Sequence, residues 1–164
     1  VRNVFQNGEA AFALNWTYMY NMANAGTDSK VAGKVGVVPA PGVEGKSEVS
    51  AVNGSMGLGI TSTSKHPDEA WKYIVHMTSQ ETQNAYAKLS LPIWASSYDD
   101  PAVTAGQEEM IAAAKLGLAA MYPRPTTPKY QELSTALQQA IQEALLDQAS
   151  PEDALKSAAD NSGL

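Results

Sequence analysis

Cysteine is absent from this 164-residue sequence. Thiolate nucleophiles, cysteine-based zinc sites and disulfide frameworks are therefore excluded, and the redox compartment stays undetermined. Positive charge is scarce, because 11 Lys and Arg residues stand against 17 Asp and Glu residues and the formal net charge is -6. Since no cationic field is available to neutralise phosphates, the sequence disfavours binding to nucleic acid or to an anionic membrane surface.

The sequence also lacks a long apolar run. No stretch approaches the roughly 18 to 20 apolar residues of a membrane span. The opening residues, Val1 to Phe5, lack the apolar region of a signal peptide, and no initiator methionine precedes them. We therefore expect the chain to belong to a longer protein, while its length and 44% hydrophobic content suit one packed domain.

Catalytic and metal-binding patterns are missing as well. The two histidines, His66 and His76, have no second ligand at a metal-binding spacing, and the acidic residues fall mainly on polar helix faces. The segment from Gly54 to Gly57 lacks the spacing of a serine nucleophile elbow, and Gly59 completes no dinucleotide fingerprint. We expect no enzyme activity, cofactor or metal; a glycoside hydrolase fragment would need two facing carboxylates.

Periodicity predicts an α/β protein with a small sheet, several covering helices and a helix-rich C-terminal half. Short β-branched or apolar runs predict strands at 10–14 and 35–38 and a glycine-containing strand-like region at 49–60. Pro39 to Gly42 should end the second strand, with a polar loop to Lys46. Helical spacing or capping signals predict helices at the opening residues, at 17–25, after Pro67, at 79–89, around 110–121, after Pro128 and after Ser150.

Several polar and aromatic residues are suited to a neutral polar ligand. Trp16 follows a predicted strand, at the carboxyl edge where open α/β sheets bind ligands, and its indole offers a flat apolar face. A sugar ring presents C–H patches on its faces and hydroxyls around its edge, which aromatic and amide groups complement. The candidate ligand-binding residues are Trp16, Tyr18, Asn53, Gly54, Ser55, Tyr122 and Arg124.

Simpler structural roles remain open for these residues. The alternatives are a core position for Trp16, a turn at Asn53 and Gly54, and a surface charge between two prolines for Arg124. Trp71 lies on the apolar face of its predicted helix and is expected to be a core residue. Trp94 lies in a proline-marked loop and suits either the core or a second ligand platform.

Blocks of sequence along nearly the whole chain match a known family. They are Phe5-x-x-Gly8-x-Ala10-Ala11 leading to Trp16, Val35-Gly36-Val37-Val38-Pro39-x-Pro41-Gly42, Val52-Asn53-Gly54-x-x-x-Leu58-Gly59-Ile60, Ser64-Lys65-x-Pro67-x-x-Ala70-Trp71, Ser79-x-Glu81-x-Gln83, Leu91-Pro92 with Ser97-Tyr98-x-Asp100-Pro101, Arg124-Pro125-x-x-Pro128-x-Tyr130, and Ser150-Pro151-Glu152-x-Ala154-Leu155. In order and spacing, they resemble the carboxy-terminal lobe of family 1 extracellular solute-binding proteins. These are the maltose-binding-protein-like receptors of ABC sugar importers.

The resemblance implies a function and partners. In such receptors two lobes close over a sugar-type solute, and permease subunits of an ABC transporter read the closed form. By motif, Trp16 resembles the aromatic sugar platform, Asn53-Gly54 the backbone-and-amide contact segment, and Arg124 the basic residue of a late Arg-Pro loop. Asn53-Gly54-Ser55 stands where many relatives have two glycines, and Trp94 stands where many have a polar or basic residue.

Residues 1–164 are thus expected to form a single lobe, with the amino-terminal lobe and signal peptide absent. The expected location is periplasmic or extracellular, with a lipid anchor on the missing N-terminus as one option. The expected partners are a sugar-type small molecule, the permease subunits and the protein's own N-terminal lobe. The alternative is a helical protein-interaction or self-association module that binds no sugar.

Overall fold

A computed structural model describes residues 1–162 and divides the chain into two compact units. The first unit runs from Val1 to Tyr122, and the second begins at Pro123. The helices of the first unit are α1 (Arg2–Gln6), α2 (Tyr18–Ala25), α3 (Pro67–Thr78), α4 (Gln80–Ala85), α5 (Pro101–Thr104) and α6 (Glu108–Ala120), with a 3-10 helix at Ala95–Asp99. Its strands are β1 (Pro41–Val43), β2 (Ser47–Val49), β3 (Ala51–Val52) and β4 (Met121–Tyr122), and the second unit contains α7 (Tyr130–Leu145) and α8 (Pro151–Asn161).

Helix boundaries follow the capping residues closely. The Ser79 side chain accepts a hydrogen bond from the Thr82 N–H at the start of α4, and Ser150 accepts one from the Asp153 N–H at the start of α8. Pro67 is the first residue of α3. The N–H that proline lacks would have no partner within the helix at this position, so no hydrogen bond is lost. The predicted helix after Ser79 is shorter than expected, because α4 ends at Ala85 and turns follow.

The strands form two small sheets in the described residues. β1 and β2 form an antiparallel hairpin that pairs Pro41 with Val49. The predicted loop up to Lys46 is therefore wrong at Pro41–Val43, which form β1, and confirmed at 44–46, which form the turn. The turn is possible because Gly45 takes a positive φ of 75° and Pro41 occupies the first residue of its strand. β3 and β4 pair in parallel, with α6 between them in sequence.

The predicted strands at 10–14 and 35–38 are not found, and the region 49–60 forms a strand only at its beginning. These stretches have no strand-pairing partner within residues 1–162, and a strand requires one. The predicted α/β class and the helix-rich second half are confirmed. None of the helices in residues 1–162 combines the length and apolar character needed to cross a membrane.

The core of the first unit lies around α6. Its buried side chains are Ala87, Tyr98, Val103, Met110, Ile111 and Ala114. Gln107, at the start of α6, is fully buried beside them, and its amide donates to the Val103 carbonyl over 2.5 Å. Asn21 of α2 donates to Gln107 Oε1 over 2.7 Å and to the Lys88 carbonyl over 3.0 Å, which ties α2 to the core.

The second unit is a pair of packed helices. Ala140 of α7 meets Ala154 and Ala158 of α8, and these small side chains let the two helices approach closely. α7 ends where Asp147 adopts a left-handed conformation, with φ at 55°. The face of α7 that carries Leu137, Ile141 and Leu145 is exposed.

Candidate ligand-binding site

Trp16 lies between a segment without regular secondary structure and the first turn of α2. The backbone N–H of Trp16 donates to Asn15 Oδ1 over 2.8 Å, and the backbone carbonyl of Trp16 accepts from the Met19 N–H over 3.1 Å. These two bonds fix the backbone on either side of the side chain. The indole is 61% exposed, so Trp16 is not a core residue of this unit and its flat face is accessible to a ligand.

The tyrosines of α2 have different surroundings. Tyr18, the first residue of the helix, is half-buried. Tyr20 packs against the core, and its hydroxyl accepts a hydrogen bond from Asn24 Nδ2 over 3.2 Å. Tyr18 therefore remains the ligand candidate, whereas Tyr20 is engaged in holding α2 to the core.

Asn53, Gly54 and Ser55 form a compact turn directly after β3. Asn53 Oδ1 accepts hydrogen bonds from the Ser55 N–H over 2.9 Å and from the Ser55 hydroxyl over 2.5 Å. This is an Asx turn, in which a side-chain oxygen replaces a backbone carbonyl. The turn predicted for Asn53-Gly54 is therefore present, and among the described residues nothing accepts from Asn53 Nδ2.

The parallel pairing of β3 and β4 brings Asn53 and Tyr122 together. Val52 lies opposite Tyr122, and the Asn53 N–H donates to the Tyr122 carbonyl over 2.9 Å. Tyr122 is 74% exposed, and Asn53 is half-buried. Both residues lie at the carboxyl ends of their strands, the edge at which α/β sheets bind ligands. The packing of β3 on α6 supports this edge, and Gly117 lies beside Ala51.

The structure does not bring all the candidates together. Arg124 is exposed and lies in the extended segment that precedes α7, in the second compact unit. Within residues 1–162, no hydrogen bond joins Trp16 or Tyr18 to the Asn53 turn or to Tyr122. The joined set is thus Asn53, Ser55 and Tyr122.

Comparison with known proteins identifies the family. Residues 1–84, about half of the chain, match the profile of the bacterial extracellular solute-binding proteins. The chain belongs to this family. The predicted family resemblance is confirmed.

Two relatives show how much of a solute-binding protein is present. A probable ABC transporter-binding protein of Deinococcus radiodurans is 30% identical over 165 residues, which cover 94% of this chain and 37% of the relative. The structure of maltose-bound MalE3 from T. maritima matches with a TM-score of 0.85 at 32% identity, over 98% of this chain and 41% of that one. The chain therefore has the fold of part of MalE3 and spans well under half the length of either relative.

Membership of a solute-binding family supports a binding function rather than catalysis. The family's description as extracellular supports the predicted location outside the cytoplasm. In residues 1–162, no group of three His, Asp or Glu side chains has a geometry that could hold a metal ion. Among the groups of residues 1–162, two have displaced pKa values, and neither is a candidate residue. Burial raises the pKa of Tyr98, and hydrogen bonds from the Glu108 and Gly106 N–H groups lower the pKa of Glu108.

One tryptophan of this solute-binding protein differs from expectation, and another makes a hydrogen bond to a helix end. The core assignment of Trp71 is wrong for the described chain, because α3 packs mainly against α4 and leaves the indole 59% exposed. Trp94 is half-exposed, and its Nε1 donates to the Thr78 carbonyl at the end of α3 over 2.8 Å. Sequence patterns gave no sign of this bond, since it joins a loop to a helix terminus.

The cavities found in this solute-binding protein lie elsewhere. An open groove of about 420 Å³ in the second unit is lined by Gln131, Glu132, Thr135, Ala136, Gln139 and Asn161. A smaller pocket of about 120 Å³ lies beside it, between α7 and α8. Neither cavity is lined by a candidate ligand residue. Their linings of alanine and small polar side chains lack the aromatic and convergent polar groups of a ligand site.

Proposed function

We propose that this chain is one lobe of a two-lobed receptor that binds a sugar or a related polyhydroxylated solute for delivery to an ABC transporter. The observation that carries the proposal is the likeness to maltose-bound MalE3 over 98% of the chain. The Deinococcus radiodurans relative is a probable ABC transporter-binding protein, which supports delivery to such a transporter. Because the chain spans well under half of either relative, the proposal assigns the second lobe to polypeptide outside residues 1–164.

The candidate residues suit a neutral, hydroxyl-rich ligand. The exposed indole of Trp16 would stack on the C–H face of a sugar ring. Asn53 Nδ2 has no acceptor among the described residues and would donate to a ring hydroxyl, and the Tyr122 hydroxyl would bond to another. Tyr18, Gly54, Ser55 and Arg124 complete the proposed set, and Arg124 is its one charged member.

Closure of two lobes would couple binding to transport. A ligand that touches both lobes only in the closed state favours that state by the free energy of the added contacts. Permease subunits of the transporter would then select the closed receptor. The receptor would act in the periplasm or outside the cell, held by a lipid anchor or free.

The test is a ligand panel applied to the complete receptor. Thermal shift with maltose, maltotriose, glucose, glycerol and glycerol phosphate, followed by calorimetry on any hit, should find a stabilising sugar. A sugar at a hundredfold excess over its Kd should stabilise the folded receptor by about 2.7 kcal/mol. No response to any sugar or polyol, or turnover of a chromogenic glycoside, would contradict the proposal.

One feature favours the self-association alternative. In the second unit, the row of Leu137, Ile141 and Leu145 on α7 is exposed, and such rows often form helix–helix contacts. Light scattering of the chain distinguishes this alternative from the leading proposal. A stable oligomer that no sugar stabilises would favour the interaction module.

A further inference from the structure

The chain contains two Asn-Gly pairs, and the structure holds them in different ways. They are Asn7-Gly8, at the end of α1, and Asn53-Gly54, directly after β3. In such a pair the backbone nitrogen of the glycine can attack the side-chain amide carbon of the asparagine, because glycine has no Cβ to obstruct the approach. A comparison of the two pairs therefore shows what the fold adds to this chemistry.

At Asn53-Gly54 the attacking nitrogen is free. Among the residues that the structure describes, nothing accepts a hydrogen bond from the Gly54 N–H, whereas the Asn53 N–H is bonded to the Tyr122 carbonyl. The bond from the Ser55 N–H to Asn53 Oδ1 closes a short ring that contains both the side-chain carbon and the Gly54 nitrogen. The Asx turn therefore keeps the two reacting atoms within one small loop.

Two donors converge on the oxygen that becomes negative during such an attack. The Ser55 nitrogen lies 2.9 Å from Asn53 Oδ1, and the Ser55 hydroxyl oxygen lies 2.5 Å from it. When a nucleophile adds to an amide carbon, the charge develops on the amide oxygen, and donors already directed at that oxygen stabilise the transition state. Hydrogen bonds to a charged oxygen are also stronger than those to a neutral one. Ser55 thus gives the Asn53 amide a small oxyanion site.

The Asn7-Gly8 pair has neither feature. The Gly8 N–H donates to the Phe5 carbonyl over 2.9 Å, as part of the C-terminal cap of α1. Within residues 1–162, no donor is directed at Asn7 Oδ1. Attack on the Asn7 amide would require the Gly8 peptide to rotate and break its bond. Asn7 is exposed and Asn53 is half-buried, so exposure alone would predict the opposite order of reactivity.

We propose that Asn53 is a self-modification site, at which the Gly54 nitrogen displaces ammonia from the side-chain amide with the help of Ser55. A bond forms between the Gly54 nitrogen and Asn53 Cγ, and the Cγ–Nδ2 bond breaks. Water takes the proton of the Gly54 N–H and returns one to the departing nitrogen, which leaves as ammonia. The product is a five-membered succinimide. Water then opens this ring at either carbonyl and leaves aspartate or isoaspartate at position 53.

The modification would alter the proposed ligand site. Both products lack the Nδ2 donor and add a negative charge, and isoaspartate also lengthens the backbone by one atom after β3. The effect on sugar binding rests on the proposed function, whereas the chemistry at Asn53 does not. A sugar hydroxyl that accepts from Nδ2 would have to leave before ammonia does, so bound sugar should slow the modification.

Peptide mapping of the complete receptor by mass spectrometry tests the proposal. The receptor is incubated in mildly alkaline buffer, conversion of Asn53 and Asn7 is followed in the same sample, and an isoaspartyl methyltransferase detects isoaspartate. We expect Asn53 to convert about tenfold faster than Asn7, or more. In urea the two rates should approach each other, because both unfolded pairs have the same Asn-Gly chemistry. Conversion of Asn53 in the folded receptor no faster than that of Asn7 would overturn the proposal.

A matched pair of serine variants isolates the hydroxyl donor. Ser55→Ala removes the hydroxyl that donates to Asn53 Oδ1 and keeps the N–H, whereas Ser62→Ala removes an exposed hydroxyl in the turn before α3. Ser55→Ala should slow the conversion of Asn53 by about fivefold, and Ser62→Ala should leave it unchanged. The rate at Asn7 should stay constant in both variants, which controls for unfolding. An unchanged rate at Asn53 in Ser55→Ala would refute the role of Ser55.

Sugar addition separates this proposal from the proposed function. Conversion of Asn53 that is slowed by a stabilising sugar would support both. Fast conversion of Asn53 in a receptor that responds to no sugar would support the modification and contradict only the proposed function.

Discussion

The Asn53 N–H donates to the carbonyl of Tyr122 over 2.9 Å, at the point where two parallel strands end. This bond joins the backbones of the two residues, and α6 lies between them in sequence. Asn53 uses its Oδ1 to hold the turn and leaves Nδ2 without an acceptor among the described residues. The turn therefore orients a donor at the carboxyl edge of the β3–β4 pair.

The Asn53 donor can be tested without disturbing its turn. Asn53→Asp keeps an oxygen for the bonds from Ser55 and removes the Nδ2 donor. We expect the Tm of the complete receptor to change little and its sugar affinity to fall by about 1 kcal/mol or more, the usual contribution of one hydrogen bond. Calorimetry and thermal unfolding measure the two effects. An unchanged affinity would remove Asn53 Nδ2 from the site.

The buried amide of Gln107 should matter for stability. Gln107→Ala removes a fully buried side chain and leaves Asn21 without one acceptor. The free energy of unfolding should fall by about 2 to 3 kcal/mol, measured by urea denaturation of the chain. Gln142→Ala, on an exposed position of α7, is the control and should stay within about 0.5 kcal/mol of the parent. Equal effects of the two variants would refute the role of the Asn21–Gln107 bond.

Trp94 is expected to stabilise the end of α3. Trp94→Phe keeps an aromatic ring but removes the donor to the Thr78 carbonyl, which lies in the last turn of the helix. The loss should be about 1 kcal/mol of unfolding free energy. The same variant should bind sugar as the parent does. A weaker affinity at unchanged stability would instead make Trp94 a second ligand platform.

The helices, rather than the strands, were predictable from sequence. A helix is specified locally: Ser79, Ser150 and Pro67 mark three starts because caps and proline act within one turn. A strand requires a partner that can lie anywhere in the chain or outside it. The stretch at 35–38 therefore has β-branched residues but forms no strand within residues 1–162.

The site was partly predictable for the same reason. Residue chemistry selected Asn53 and Tyr122 singly, but their contact depends on the parallel register of β3 and β4, which no local pattern encodes. Trp71 was assigned to the core from its position on the apolar face of α3. An apolar helix face is expected to pack against another element, but the pattern does not indicate whether that element lies within the described chain.

Glu108 should make stability depend on acid pH. Hydrogen bonds from the Glu108 and Gly106 N–H groups favour its charged form, and this lowers its pKa below 4.5 in the folded chain. Its contribution is therefore present above pH 4.5 and lost as the pH falls through the lower folded value. Glu108→Gln should lower the Tm at pH 7, and the difference from the parent should shrink as the pH is lowered below 4.5.

Glu109→Gln provides the matched control for this prediction. It removes the same charge from the first turn of α6 without the bond from the Gly106 N–H, which goes to Glu108 Oε1 over 3.0 Å. Thermal unfolding of both variants across this pH range measures the effect. An identical pH dependence for the two would attribute it to net charge or to the helix dipole rather than to the Gly106 bond.

Calorimetry of the complete receptor with its best sugar, comparing the parent with Trp16→Ala, tests the central claim most directly. The exposed indole of Trp16 is proposed to stack on the sugar ring. We predict a loss of about 1 to 3 kcal/mol in binding free energy, with the Tm of the unliganded receptor unchanged. An affinity equal to that of the parent would contradict the account.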